Sequence, residues 1–171
     1  MDYETRSAPY AYDAGAERRA AASERWQEAR RRLGEIVVTL AEDPGVRTAS
    51  WRLPPNGRSA ATARRLTRAR LTAWGMEDRL DVAELLVSEL VTNALEHARG
   101  PIRLTLSAIE GLLRCEVEDS ETALPRLHDA DDDEEGGRGL RLLDVLACCW
   151  GGIRTPDGKV VWFELPAALA A

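Results

Sequence analysis

The chain has no run of eighteen apolar residues and no basic start followed by an apolar stretch. Those absences argue against a membrane-spanning helix and a secretory signal. Cysteine is scarce: Cys115 and the adjacent Cys148 and Cys149 make an odd number without metal-ligand spacing. They read as reduced, mostly buried thiols of a cytoplasmic protein. An excess of positive charge is missing as well. With 23 Lys and Arg against 29 Asp and Glu, the formal net charge is −6, which argues against a nucleic-acid binder.

What charge is present is segregated. Residues 51–80 carry 7 basic and 2 acidic side chains, whereas residues 81–135 carry 4 and 15. The two ends, 1–50 and 136–171, are near neutral. This predicts one basic face and one acidic region, which bears on partner choice more than on fold.

At 171 residues the chain is long enough for one domain with its own core plus an extension. Residues 1–15 show no periodicity and read as a disordered tail. From 16 to 46 the pattern is helical, with Ala22, Trp26, Ala29, Leu33, Ile36 and Leu40 on a heptad seam that Asp43-Pro44-Gly45 ends. Two readings stand: a helix docked on its own domain, or one that forms a homodimer or binds a partner. Residues 47–167 read as the main domain and 168–171 as a tail.

Within that domain, Thr48–Leu53 reads as a strand ended by Pro54-Pro55-Asn56-Gly57. Ser59 is the predicted N-cap of a helix to about Trp74, with Ala63, Leu66, Ala69 and Ala73 inward, Arg64, Arg65 and Arg68 outward, and Gly75 as its stop. The arginines read as a solvated face or as a docking face for an acidic partner. Asp78 to Ala98 reads as a second helix. Ile102, Leu104 and Leu106, then Leu113, Cys115 and Val117, alternate as two strands through a turn at Glu110-Gly111. A long acidic segment, 120–135, has no regular pattern. A short helix from Gly139 to Leu146 precedes strands near Cys149–Arg154 and Lys159–Leu165, joined by Thr155-Pro156-Asp157-Gly158. The order predicts an α+β two-layer sandwich, a mixed and mostly antiparallel sheet with helices on one face.

The chemistry concentrates in three segments. On the second helix Glu89, Asn93 and His97 are four residues apart, a polar ridge beside the apolar stripe Leu86, Leu90 and Ala94. Polar groups at the edge of a core are costly unless they bind something. Asn93 can offer one oxygen to Mg²⁺ while phosphates and waters complete the shell. Glu89, one turn earlier, suits a general base. Asp119 ends a strand, where a carboxylate can accept a hydrogen bond from the amine of a base. Gly136, Gly137 and Gly139 precede a helix, where backbone and helix N-terminus suit a phosphate. Plainer roles stand beside these: Asn93 satisfying a backbone group, Asp119 in a turn, and His97 hydrogen-bonded at the core edge. His128 has no evident role.

Glu89-Leu-Val-Thr-Asn93-Ala, Val117-Glu-Asp119 and Gly137-Arg138-Gly139-Leu140, in that order, resemble the Bergerat-fold ATPases of the gyrase and sensor histidine kinase superfamily. Leu86–His97 and Lys159–Leu165 more closely resemble the anti-sigma-factor serine/threonine kinase branch in its actinobacterial form. The resemblance covers about residues 48–166. It implies that Asn93 holds Mg²⁺, that Glu89 is the general base and that Asp119 reads the adenine amine. It also implies phosphate binding at Gly137 to Leu140, including Arg138 and Gly139, and an ATP lid between Asp119 and Gly136. Such kinases bind a sigma factor and phosphorylate an antagonist protein, without contacting nucleic acid or membrane.

Two positions depart from the pattern. Glu121 stands where the superfamily has glycine, and Val160 where it has a threonine near the base. The lid also carries six carboxylates, Asp129, Asp131, Asp132, Asp133, Glu134 and Glu135, each costing about 1 kcal/mol against a nearby phosphate. These departures motivate an alternative, a degenerate module that sequesters a regulator without turnover. Neither histidine falls on the N-terminal helix, as a phosphoacceptor would, and within these 171 residues there is no second domain for an ATPase to drive.

Overall fold

Alternation of apolar and polar residues at period two, and apolar spacing of three and four, divide the chain into strands and helices. The computed structural model describes residues 4–7, 46–97, 99–109, 111–124 and 138–166. In chain order these form β1 (Glu4–Ser7), β2 (Val46–Leu53), α1 (Ser59–Ala73), a short 3₁₀ turn (Glu77–Arg79), α2 (Leu80–His97), β3 (Ile102–Ile109), β4 (Leu112–Asp119), α3 (Arg138–Leu146), β5 (Cys149–Thr155) and β6 (Gly158–Leu165). The heptad segment, and with it the choice between a docked and a dimer-forming helix, lies outside the described residues. So does the acidic run from 129 to 135.

The six strands form one sheet in the order β1-β5-β6-β4-β3-β2. Every described pairing is antiparallel, so the parallel component expected of a mixed sheet is absent among the described residues. The architecture is the expected α+β sandwich with helices packed on one side. Residues 4–7 were expected to be disordered, yet they pair with β5 from Glu4 opposite Gly152 to Ser7 opposite Cys149. Such pairing uses backbone groups alone and covers what would otherwise be an open edge, so no side-chain pattern announces it.

The core lies between the sheet and the helices. Ala83, Leu86, Val87, Leu90, Val91 and Ala94 of α2 meet Leu104, Leu106, Leu113, Cys115, Val117, Val161 and Phe163, all at most 3 % exposed. A second small apolar group, Cys149, Ile153 and Trp162 with Cys148 against it, lies apart from that core. None of the described helices is long and apolar enough to cross a membrane.

Helix α1 differs from its expected orientation. Its buried ridge is Ser59, Ala63, Thr67 and Leu71, four residues apart, the row that interdigitates with a neighbouring helix. Ala69 and Ala73 fall on the opposite side and are exposed, and Leu66 is half-buried. Ser59 is the first helical residue rather than the cap, and its hydroxyl donates back to the Pro54 carbonyl. The arginine face is not merely solvated. Arg64 donates to the Ser88 hydroxyl, and Arg68 pairs with Glu84 at 2.6 Å, both on α2. Gly75, at φ +69°, ends the helix, with the Met76 N–H returning to the Leu71 carbonyl at 2.9 Å. Arg70 lies 5.7 Å and 5.8 Å from the Trp51 and Trp74 rings, tying the helix end to β2.

One close approach sets the site end of the sheet. At Gly158, which opens β6, a Cβ would stand 1.9 Å from the Asp119 carbonyl oxygen and 2.8 Å from the Ser120 Cα. Only glycine lets β6 start there. Gly158→Ala is expected to destabilise the fold by more than about 3 kcal/mol, since backbone rather than a side chain must yield. Gly57, with nothing within 4 Å of its Cβ direction, is the control: Gly57→Ala should change stability by less than about 0.5 kcal/mol. Urea denaturation of the two variants measures both.

Candidate functional site

Because α2 buries Leu86, Leu90 and Ala94 completely, its rotation is fixed and the adjoining ridge falls on the layer boundary. Glu89 and Asn93, one turn apart, are half-buried there, whereas His97 in the last turn is exposed. The structure therefore divides the predicted ridge. Glu89 and Asn93 line an open cleft, together with Leu90, Thr92, Glu96, and Gly139 and Leu140 of α3. His97, expected to be hydrogen-bonded at the core edge, is exposed, makes no hydrogen bond among the described residues and lies outside the cleft lining.

The Glu89 carboxylate and the Asn93 carboxamide make no hydrogen bond or ion pair among the described residues. Polar groups at this depth without partners suit a ligand that supplies them. Across the cleft, a Cβ at residue 139 would reach 3.0 Å from Glu89 Oε2 and 3.3 Å from Glu89 Cβ. Glycine there lets the first turn of α3 rest against Glu89. The first four N–H groups of a helix have no partner within it and carry its positive dipole end, so this turn is suited to an anion. The donor set therefore fits a Mg²⁺-bound nucleotide: a neutral oxygen at Asn93, a carboxylate at Glu89 and a glycine cradle at Gly139 and Leu140. Arg138 begins α3, and Gly136, Gly137 and the side chain of Arg138 lie outside the described residues.

Asp119 sits at the end of β4, 5 % exposed, and is not among the residues lining the cleft. Its Oδ1 already accepts two hydrogen bonds, from Lys159 Nζ at 3.0 Å and from the Glu121 N–H at 2.8 Å. Oδ2 has no partner among the described residues, so one oxygen remains to meet a base amine. Lys159 is the chain's one lysine, faces Asp119 directly across the strand pair and is 3 % exposed. Its role was missed in the sequence. The signal that could have found it is that solitude together with the antiparallel register.

Register also corrects the reading of Val160. Residues 161 and 163 face the helices, so 159 shares their side and 160 points with Trp162 to the other. Val160 stands opposite Glu118 and Ile153. The hydroxyl absent at 160 is therefore not one the helix side loses; the β6 residue facing Asp119 is Lys159. Glu121 is held in a turn of its own, its Oε1 accepting the Ala123 N–H at 3.0 Å. The N–H groups of Ala123 and Thr122 hold its carboxyl below the usual range, so it stays ionised at neutral pH.

Comparison with known families matches residues 53–165 to the family described as the histidine kinase-like ATPase domain. That stretch contains the cleft, Asp119 and Lys159. Among solved structures the chain is similar to the histidine kinase domain from the Erythrobacter litoralis EL346 blue-light activated histidine kinase, at 26 % identity and a TM-score of 0.43. The likeness covers 67 % of this chain and 62 % of that one, so the chain spans less than two thirds of that length. No curated protein matches the sequence.

The buried ion pair and an exposed one in the same sheet respond differently to truncation. Lys159→Met strands the Asp119 carboxylate, and is expected to cost about 3–5 kcal/mol in urea denaturation at pH 7. Arg103 and Glu118, 3.2 Å apart with side chains 54 % and 43 % exposed, are screened by water, and Arg103→Met should cost less than about 1 kcal/mol.

Proposed function

Because the chain belongs to the histidine kinase-like ATPase domain family, we propose that it binds ATP with Mg²⁺ between α2 and α3 and acts as an anti-sigma-factor-type serine/threonine protein kinase. In this reading it sequesters a sigma factor or a similar regulator and phosphorylates a Ser or Thr of the antagonist, which then releases the regulator-binding surface. The observation that carries the reading is the pair Glu89 and Asn93, half-buried and without partners among the described residues, facing the glycine start of α3.

Each residue has a task under this proposal. Asn93 offers its carbonyl oxygen to the metal from a rigid helix, which holds that ligand in place. The first-turn N–H groups of α3 at Gly139 and Leu140 receive phosphate oxygens. Glu89 accepts the proton of the attacking hydroxyl, with no cation among the described residues competing for its carboxylate. Asp119 uses Oδ2 for the base amine while Lys159 and the Glu121 N–H fix Oδ1. Bound Mg-ATP supplies the phosphoryl group and the cation that offsets its charge.

A second reading is favoured by one observation. Lys159 neutralises the Asp119 carboxylate and takes one of its oxygens, which weakens its hold on an adenine amine. A module that binds a regulator and turns over no ATP follows from it.

Separate measurements distinguish binding from transfer. Asn93→Ala is expected to lower Mg-ATP affinity more than about tenfold by calorimetry. Glu89→Ala should leave that affinity within a few fold and slow labelled phosphate transfer to a copurifying antagonist by about 10²–10⁴. Equal affinity in the wild type and Asn93→Ala overturns the nucleotide site. ATP binding without transfer by the wild type selects the second reading.

A further inference from the structure

Adjacent residues in a strand point to opposite faces, so a Cys-Cys pair within one would separate its thiols. Here Cys148 immediately precedes β5 and Cys149 is its first residue. Both pack in the second apolar cluster, with Ile153 and Trp162, apart from the main core. Glu164 of β6 is the direct cross-strand partner of Cys149, and its carbonyl accepts the Cys148 N–H at 3.0 Å. The two sulfurs and a Glu164 carboxylate oxygen consequently lie within 4.8 Å of one another.

Glu164 supplies an independent observation. It is 1 % exposed, and Arg114 Nη1 holds its Oε1 at 2.7 Å. Its Oε2 is buried with no hydrogen-bond partner among the described residues. An acceptor left so is costly, and burial pushes the Glu164 carboxyl up from its ordinary value. A cation coordinated by Oε2 would remove that cost.

We propose that Cys148, Cys149 and Glu164 form a site for a thiophilic divalent cation of the zinc class. Two soft sulfurs and one carboxylate are ligands such an ion accepts, and magnesium or calcium does not favour the sulfurs. Tetrahedral coordination brings sulfurs to about 3.8 Å from each other, within reach of the present separation by side-chain rotation. A divalent ion also offsets most of the charge: two thiolates and the Glu164 carboxylate contribute −3, and Arg114 and Glu116, paired with each other, cancel, so the ion leaves a net −1. Cys148 is the one half-buried member, so entry and the fourth, water-filled position lie on its side.

Binding is an acid-releasing step. Cysteine thiols are mostly protonated at neutral pH and bind a metal as thiolates. Coordination forms two metal–sulfur bonds and releases two protons to solvent, and affinity rises with pH. The sequence shows only a cysteine pair without ligand spacing, because the third ligand comes from the neighbouring strand.

Titration of the purified, reduced full chain with Co²⁺, then with competing Zn²⁺, tests this site independently of ATP. One equivalent should bind with a sulfur-to-metal charge-transfer band and about two protons released. Zn²⁺ should displace it and raise the thermal midpoint. Cys148→Ser and Glu164→Gln should each weaken binding more than about 100-fold, since losing a direct ligand costs more than losing an outer-shell partner. If Glu164→Gln does not fold, Cys148→Ser decides. Absence of the charge-transfer band, or equal affinity in Cys148→Ser, overturns the site.

Discussion

The complete burial of one face of α2 is the constraint on which the cleft depends. Six of its apolar residues, from Ala83 to Ala94, are at most 3 % exposed, so the helix cannot rotate without bringing Glu89 into the core or Leu86 into water. The four leucines and valines among them are each worth about 1.5–3 kcal/mol of burial, far more than the edge contacts offer. Glu89 and Asn93 therefore sit at the boundary by consequence of the packing beside them. Helix α3 then closes the cleft, because Gly139 carries no side chain to hold it off Glu89.

The two faces of the sheet carry different chemistry. On the helix side, β4 and β6 bring Asp119 and Lys159 together, and Gly158 lets the strands meet closely enough for the pair to form. On the other side, the same two strands carry Arg114, Glu116, Trp162 and Glu164. Arg114 lies 3.9 Å from the Trp162 ring and bonds both carboxylates. Alternation along a strand keeps these networks apart, so the nucleotide reading and the metal reading stand or fall separately.

Much of this was legible in the residues. The four-residue spacing of Glu89 and Asn93 beside an apolar stripe identified both the helix and the edge that lines the cleft. Period-two alternation located β3 and β4 and left Asp119 at a strand end. What escaped depended on register or on packing between elements. Lys159 reads as an ordinary strand residue until β6 is aligned against β4, and Glu164 until β5 is aligned against β6. The inward face of α1 was misjudged because Ala69 and Ala73 are apolar, whereas the row that meshes with α2 runs through Ser59 and Thr67. Strand β1 forms through its backbone, which leaves no pattern in Glu4-Thr-Arg-Ser7.

The central claim is that the edge of α2, the start of α3 and the end of β4 together hold a Mg²⁺-bound adenine nucleotide. Amide chemical-shift mapping during titration with Mg-ATP tests it most directly. The account predicts saturable shifts concentrated at Glu89–Asn93, Gly139–Leu140 and Asp119–Glu121, with the Cys148–Cys149 amides unmoved. Shifts confined to other surfaces, or none at millimolar nucleotide, would contradict it.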